Sequence, residues 1–158
     1  MKKIEEVLDE LMFIGVEPDS LDVYRAYFDR ENVEILHVAT PGDHSVMIGS
    51  NPDMLKRIAE DRAKIKANPQ RYVLIPTYSS NMAYTDMLDF ANLQEQELRE
   101  KLLYELTLPR PFEKFSEIVE NNAELRQQWQ AHKQQQRRDF VKKWAKQNSI
   151  TVFDKLLA

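Results

Sequence analysis

Three features of the chain predict an α+β fold, a small antiparallel sheet (a hairpin plus a third strand) followed by a mainly helical C-terminal half. Two stretches rich in β-branched and aromatic residues, LDVYRAYFD and VEILHVA, flank the polar Asp29-Arg30-Glu31-Asn32. A third stretch of the same kind, RYVLIP, occupies residues 71–76. Beyond Ser80 the apolar residues recur at helical spacing almost to the end. With 158 residues the chain fits a single domain, with an α/β portion over 1–79 and a helical portion over 80–158.

The elements follow in order. Ile4, Val7, Leu8, Leu11 and Met12 form the apolar stripe of a first helix, which Gly15 and Pro18 should end. The four-residue connection between the first two strands reads as a hairpin in which Asn32 can take a left-handed φ. Residues 40–51 form a loop, or a ragged strand through Ser45–Ile48. Asn51-Pro52-Asp53 then supplies a cap, a first-turn proline and an acid against the helix dipole. The helix it opens carries Leu55, Ile58 and Ile65, stops at Asn68-Pro69, and should pack on one face of the sheet.

In the second half, Tyr84, Met87, Leu88 and Ala91 share one stripe, and Leu98, Leu102, Leu103 and Leu106 the next. Pro109 and Pro111 interrupt, and Pro111 opens a helix with Phe112, Phe115, Ile118 and Val119. After the Asn121-Asn122 break a long helix runs from about Ala123 to Gln147. The tail retains Val152, Phe153, Leu156 and Leu157, apolar enough to dock.

Composition narrows the class. Hydrophobic residues make up 42% and charged residues 30%, as in globular proteins. No apolar run approaches the roughly 18 residues of a membrane span, and the start MKKIEEVLDE is too acidic for a secretory signal. The absence of cysteine rules out disulfides, thiolate metal sites and a Cys nucleophile. A cytoplasmic location is expected. The net charge of −4 is uneven, with 6 basic against 13 acidic residues over 1–60. That split either steers partners or helps the two portions dock.

Reactive motifs are scarce. With three glycines, at positions 15, 42 and 49, the chain has no P-loop, GxGxxG turn or GxSxG elbow. His37 and His44 can meet a metal only across a bend with Asp43, and structural roles suit His37 and His132 better. Asp86/Asp89 and Glu97/Glu100 are carboxylates three apart on helices, spaced for a cation or acid–base pair but better explained as solvated faces. No catalytic residue, cofactor or metal is expected, and the chain leans away from enzymes.

The sharpest signal is the basic stretch over 125–147, with Arg126, Lys133, Arg137, Arg138, Lys142, Lys143 and Lys146 against Asp139. Interleaved with Trp129, Phe140 and Trp144, it suits phosphate contact and base stacking. At about 100° per residue, however, the cations split into two groups while Leu125, Trp129, Gln136, Phe140 and Trp144 share one stripe. That stripe is apolar at both ends and polar at His132 and Gln136, which reads either as helix packing or as a groove for a peptide or partner helix.

Several segments together resemble the bacterial Uncharacterised Protein Family 0158. They are the strand end Tyr27-Phe28-Asp29, RYVLIP, Tyr84 to Phe90, LREKLLYEL, PFEKF, the Leu125 and Trp129 step, and Trp144. Their order and spacing over about residues 21–150 carry the likeness. Asn32 stands where such proteins often have Gly, and Pro109 and Pro111 where small residues and Gly are usual. The resemblance implies a shared architecture, with no activity, cofactor or catalytic residue to carry over.

The expectation is therefore a bacterial cytoplasmic protein-interaction module, binding a protein partner or itself and not a membrane. Its candidate contact residues are Arg126, Lys133, Arg137, Trp129, Trp144, Phe153 and Leu157. The alternative is a nucleic-acid-associated protein using the basic long helix, with Arg126, Lys133, Arg137 and Arg110.

Overall fold

The structure, a computed structural model, describes residues 3–13, 24–39 and 52–158. The helix stop at Gly15 and Pro18, the first strand's opening residues, the 40–51 segment and the Asn51 cap lie outside the described residues. The elements are α1 (Ile4–Phe13), β1 (Tyr24–Asp29), β2 (Glu34–Ala39), α2 (Pro52–Ala67) and β3 (Tyr72–Ile75), then α3 (Ser80–Asn92), α4 (Gln96–Leu106), α5 (Pro111–Glu120), α6 (Ala123–Gln147) and α7 (Asp154–Leu157). The fold is α+β, with one antiparallel sheet in the order β2-β1-β3.

Two compact units divide the chain: residues 1–77 with 141–158, and residues 78–140. Thus residues 141–158 belong with the sheet, and not with the helices before them. The reason is apolar: Val141, Trp144, Ala145, Ile150, Phe153 and Leu157 share one buried cluster with Val7, Leu8, Leu11, Phe28 and Ile75.

In the strand-bearing unit, register decides which side chains share a face. Phe28 pairs with Ile35 on β2 and Val73 on β3, and Ala26 with Ile75, so these side chains point to one face. The buried face of α1 joins them through Val7, Leu8, Leu11 and Met12. Phe28 meets Trp144 edge-on at 5.9 Å and Phe153 at 5.6 Å between ring centres. Trp144 Nε1 donates to the Leu74 carbonyl at 3.0 Å, satisfying a backbone group on edge strand β3. His37 Nε2 lies 3.0 Å from Glu10 Oε1 and ties β2 to α1.

The hairpin turn is organised by Asp29, whose side chain is 0% exposed. Its Oδ1 accepts from the Glu31 and Asn32 N–H groups at 3.0 and 3.4 Å, and its carbonyl from Val33 N–H at 2.9 Å. Arg71, at the start of β3, donates from Nε and Nη2 to the two carboxylate oxygens at 2.8 and 2.9 Å. Burial alone would push this carboxyl up. The Arg71 bond, the two backbone donors and the Arg71 charge overcome that and hold it below its ordinary value. The left-handed residue of the turn is Val33, at φ 51°, and not Asn32 as the sequence suggests. The bonds to Asp29 set the chain's path here, and Val33 packs its side chain against the core, offsetting the strain.

The helical unit is held by Met87, Phe90, Ala91, Leu102, Leu106, Phe115, Val119, Leu125 and Trp129. Caps separate its helices. Ser79 Oγ accepts from Met82 N–H at 3.2 Å to start α3, and Asn122 Oδ1 from Leu125 N–H at 3.1 Å to start α6. Arg110 takes φ 58° directly before Pro111, the first residue of α5. At the other end of α6, Ile150 N–H bonds the Ala145 carbonyl at 2.8 Å and Ser149 N–H that of Lys146 at 3.2 Å, the Schellman pattern with Ser149 at φ 55°.

Two tests follow from this arrangement. Ser149→Gly is expected to raise the unfolding free energy by about 1 kcal/mol, because only the serine bears a Cβ penalty in that conformation; urea unfolding measures it. Asp29 has a folded pKa below 3.8, so its contribution is whole above that value and is lost as the pH falls through the lower folded value. Asp29→Asn should cost about 3 kcal/mol at neutral pH, and unfolding followed between about pH 4 and pH 2 should show less acid sensitivity than the parent.

Candidate functional site

The seven residues marked by the sequence fall into two groups. Trp144, Phe153 and Leu157 are buried in the strand-bearing unit, and Trp129 is buried in the helical unit. One stripe of α6 therefore serves two cores, Leu125 and Trp129 in one, Val141, Trp144 and Ala145 in the other. Its middle, from His132 through Phe140, is only half-buried where it is covered at all. The three cations lie along α6 within the helical unit. Arg126 Nη1 is 3.9 Å from Glu120 Oε2. Lys133 Nζ sits 5.3 Å from the Trp129 ring centre, and the Arg137 guanidinium 5.7 Å from that of Tyr78. Burial, then the charge of Arg137, hold the Lys133 ammonium below its usual pKa, against Glu120.

Around Lys133 and Arg137 the helical unit gathers polar groups, one of which, Asp86, sequence reasoning placed elsewhere. Asp86, expected on a solvated face, is 9% exposed and accepts a hydrogen bond from the Tyr78 hydroxyl. Its partner in the proposed carboxylate pair, Asp89, is exposed. The reason is visible on the helix: Asp86 lies one turn before Phe90, which stands in the core, so both point inward. Tyr78 is itself buried, packed edge-on against Phe140 at 5.2 Å. His132 stacks on Trp129 at 5.9 Å with an interplanar angle of 20°, and meets Phe90 at 5.5 Å. Its Nε2 lies 3.4 Å from Gln136 Nε2.

The electrostatics of the cluster are set by burial. Desolvation pushes the Asp86 carboxyl up. The Tyr78 hydroxyl and the charges of His132 and Arg137 pull it down, while Asp89 adds to the rise. Desolvation also raises the Tyr78 phenol, helped by its bond to Asp86 and the carboxylate charges of Asp86 and Asp89, and opposed by Arg137. Tyr78 is thus held as a neutral donor. The chemistry available is the gain or loss of a proton at Asp86.

Other places carry less. A shallow cleft of about 550 Å³ is lined by Arg30, Glu31, Asn68, Gln70 and Arg71 among others. Its cations are already engaged, Arg71 by Asp29 and Glu31 and Arg30 by the Asn148 carbonyl at 2.7 Å. Among the described residues no three His, Asp or Glu side chains gather as metal ligands, and no helix is long and apolar enough to cross a membrane. His37 faces Glu10, while His44 and Asp43 lie outside the described residues.

Two substitutions separate packing from polarity here. Trp129→Ala should cost about 3–5 kcal/mol, the price of emptying a buried aromatic site. Asp86→Asn should leave the unfolding free energy at pH 7 unchanged or higher, because the amide still accepts from Tyr78 and needs no buried charge. Chemical denaturation of the two variants beside the parent reads both.

No curated protein and no solved structure matches the chain. Residues 7–157 match the Uncharacterised protein family (UPF0158), whose resemblance the strand, helix and tryptophan spacings already carried. With nearly its whole length aligned, the chain belongs to the Uncharacterised protein family (UPF0158).

Proposed function

We propose that the protein is a bacterial cytoplasmic module without catalytic activity, acting by contact with another protein or with a second copy of itself. The observation that carries this reading is helix α2. Across Pro52–Ala67 none of its described side chains is buried; Ile58 and Ile65 are half-buried and Leu55 is 41% exposed. A helix in water draws most of its stability from burying an apolar face, and this one leaves that work largely undone. A partner covering Leu55 would complete it. The flanks of α6 around Arg126, Lys133 and Arg137 are the second candidate surface.

Contact with nucleic acid is the other reading, favoured by the exposed Lys142, Lys143 and Lys146 on the last turns of α6. It is the weaker one, because Arg126, Lys133 and Arg137 each already have a carboxylate or a ring beside them.

Leu55→Glu is expected to change stability by less than about 1 kcal/mol and to abolish association, read by native mass spectrometry of protein isolated gently from its host. A co-isolated protein or second subunit, lost in Leu55→Glu, supports the reading. An assembly that withstands Leu55→Glu and falls apart steeply with salt would favour nucleic acid instead.

A further inference from the structure

The polar cluster of the helical unit stands at a particular place in the chain. The unit comprises residues 78–140, and its first and last residues touch: the Tyr78 and Phe140 rings meet at 5.2 Å with an interplanar angle of 81°. Tyr78 is also the one buried residue of the irregular segment 76–79, in which Pro76, Thr77 and Ser79 are exposed. Two side chains of the segment bond within the helical unit, Ser79 as the exposed cap of α3 and Tyr78 as the buried one. Three groups hold the Tyr78 side chain: Phe140 at its edge, the Arg137 guanidinium 5.7 Å from its ring centre, and Asp86 at its hydroxyl.

We infer that Tyr78, Asp86, His132 and Arg137 form a proton-operated clamp that closes the two ends of the helical unit on each other, tight when Asp86 is protonated and loosened when it is a carboxylate. A carboxylic acid at this position keeps its hydrogen bond with Tyr78 and needs no water. A carboxylate needs more donors than the one hydroxyl supplies. Water reaches it most directly by the parting of Tyr78, whose neighbours in sequence are already in solvent.

The groups acting on Asp86 come from three elements. Tyr78 belongs to the preceding segment, Asp89 to α3 itself, and His132 and Arg137 to α6. The side of α4 that enters this core is apolar, through Leu102 and Leu106. The cations and the Tyr78 hydroxyl favour the carboxylate, yet burial outweighs them and the carboxyl is pushed up. The sign follows. A carboxyl whose pKa is higher in the closed state binds its proton more tightly there, so closure is favoured as the pH falls through that pKa and opening as it rises. His132, when charged, opposes protonation of Asp86. Removing its charge should therefore strengthen the response.

Hydrogen exchange of the intact protein over residues 78–92 and 129–140, corrected for intrinsic rates, tests the clamp. Between about pH 7.5 and about pH 4, an interval that spans the raised Asp86 pKa, the opening constant of the parent should fall severalfold, within the tenfold per pH unit that one coupled proton permits. Asp86→Asn should exchange slowly at both values with no pH dependence, and His132→Gln should show a larger fall than the parent. An opening constant indifferent to pH in the parent, or an unchanged pH dependence in Asp86→Asn, overturns the proposal. A carbon-13 titration of the Asp86 carboxyl in the parent keeps the test independent of the variants' folding. A midpoint above 3.8 that tracks the exchange supports the clamp; one at or below 3.8 sinks it.

Discussion

The buried ion pair between Asp29 and Arg71 is the constraint on which the strand-bearing unit depends. A carboxylate with no exposure is tolerable only if its oxygens are filled, and here two guanidinium donors and two backbone N–H groups fill them. Those same bonds bend the β1–β2 turn and fasten it to the start of β3, where Arg30 N–H also bonds the Arg71 carbonyl at 3.0 Å. With three strands locked at one end, Phe28 is presented to Trp144 and Phe153, and residues 141–158 gain a surface to pack on. The forced left-handed Val33 is a consequence of the same turn, held by bonds stronger than the strain it stores.

A single helix, α6, contributes to both hydrophobic cores, and that division shapes its sequence. Apolar residues concentrate at Leu125 and Trp129 and again at Val141, Trp144 and Ala145. Between them the helix can afford polar side chains, and it is there that His132, Lys133 and Arg137 meet the aromatic rings and the carboxyl of Asp86. The two buried aspartates make opposite use of burial. Asp29 is surrounded by enough donors to be a stable anion. Asp86 has one hydroxyl and more distant cations, which leaves a proton as its natural complement.

Much of the architecture was legible from local pattern. The hairpin, the third strand at RYVLIP, the breaks at Pro111 and Asn122 and the extent of α6 all rest on spacing and capping, which short windows of sequence record. What local pattern could not carry were pairings across the chain. Nothing near Asp29 names Arg71 as its partner 42 residues on. The left-handed positions at Val33, Arg110 and Ser149 fall on residues that do not advertise them, because neighbouring hydrogen bonds and prolines impose the backbone. Trp129 and Trp144 share a helical stripe, but periodicity cannot say that the stripe passes from one core to another. Asp86 could have been found: its position one turn from Phe90 marks it as inward-facing, and charge alone disguised it.

The most direct measurement is a double-mutant cycle at Asp29 and Arg71, using Asp29→Asn, Arg71→Lys and the pair, with unfolding free energies at neutral pH. Arg71→Lys keeps the charge and removes the two-pronged geometry. A coupling energy of about 2 kcal/mol or more, within the range found for residues sharing one hydrogen-bonded network, is the result this account requires. Additive effects would contradict it, showing that the turn and the strand hold together without the pair.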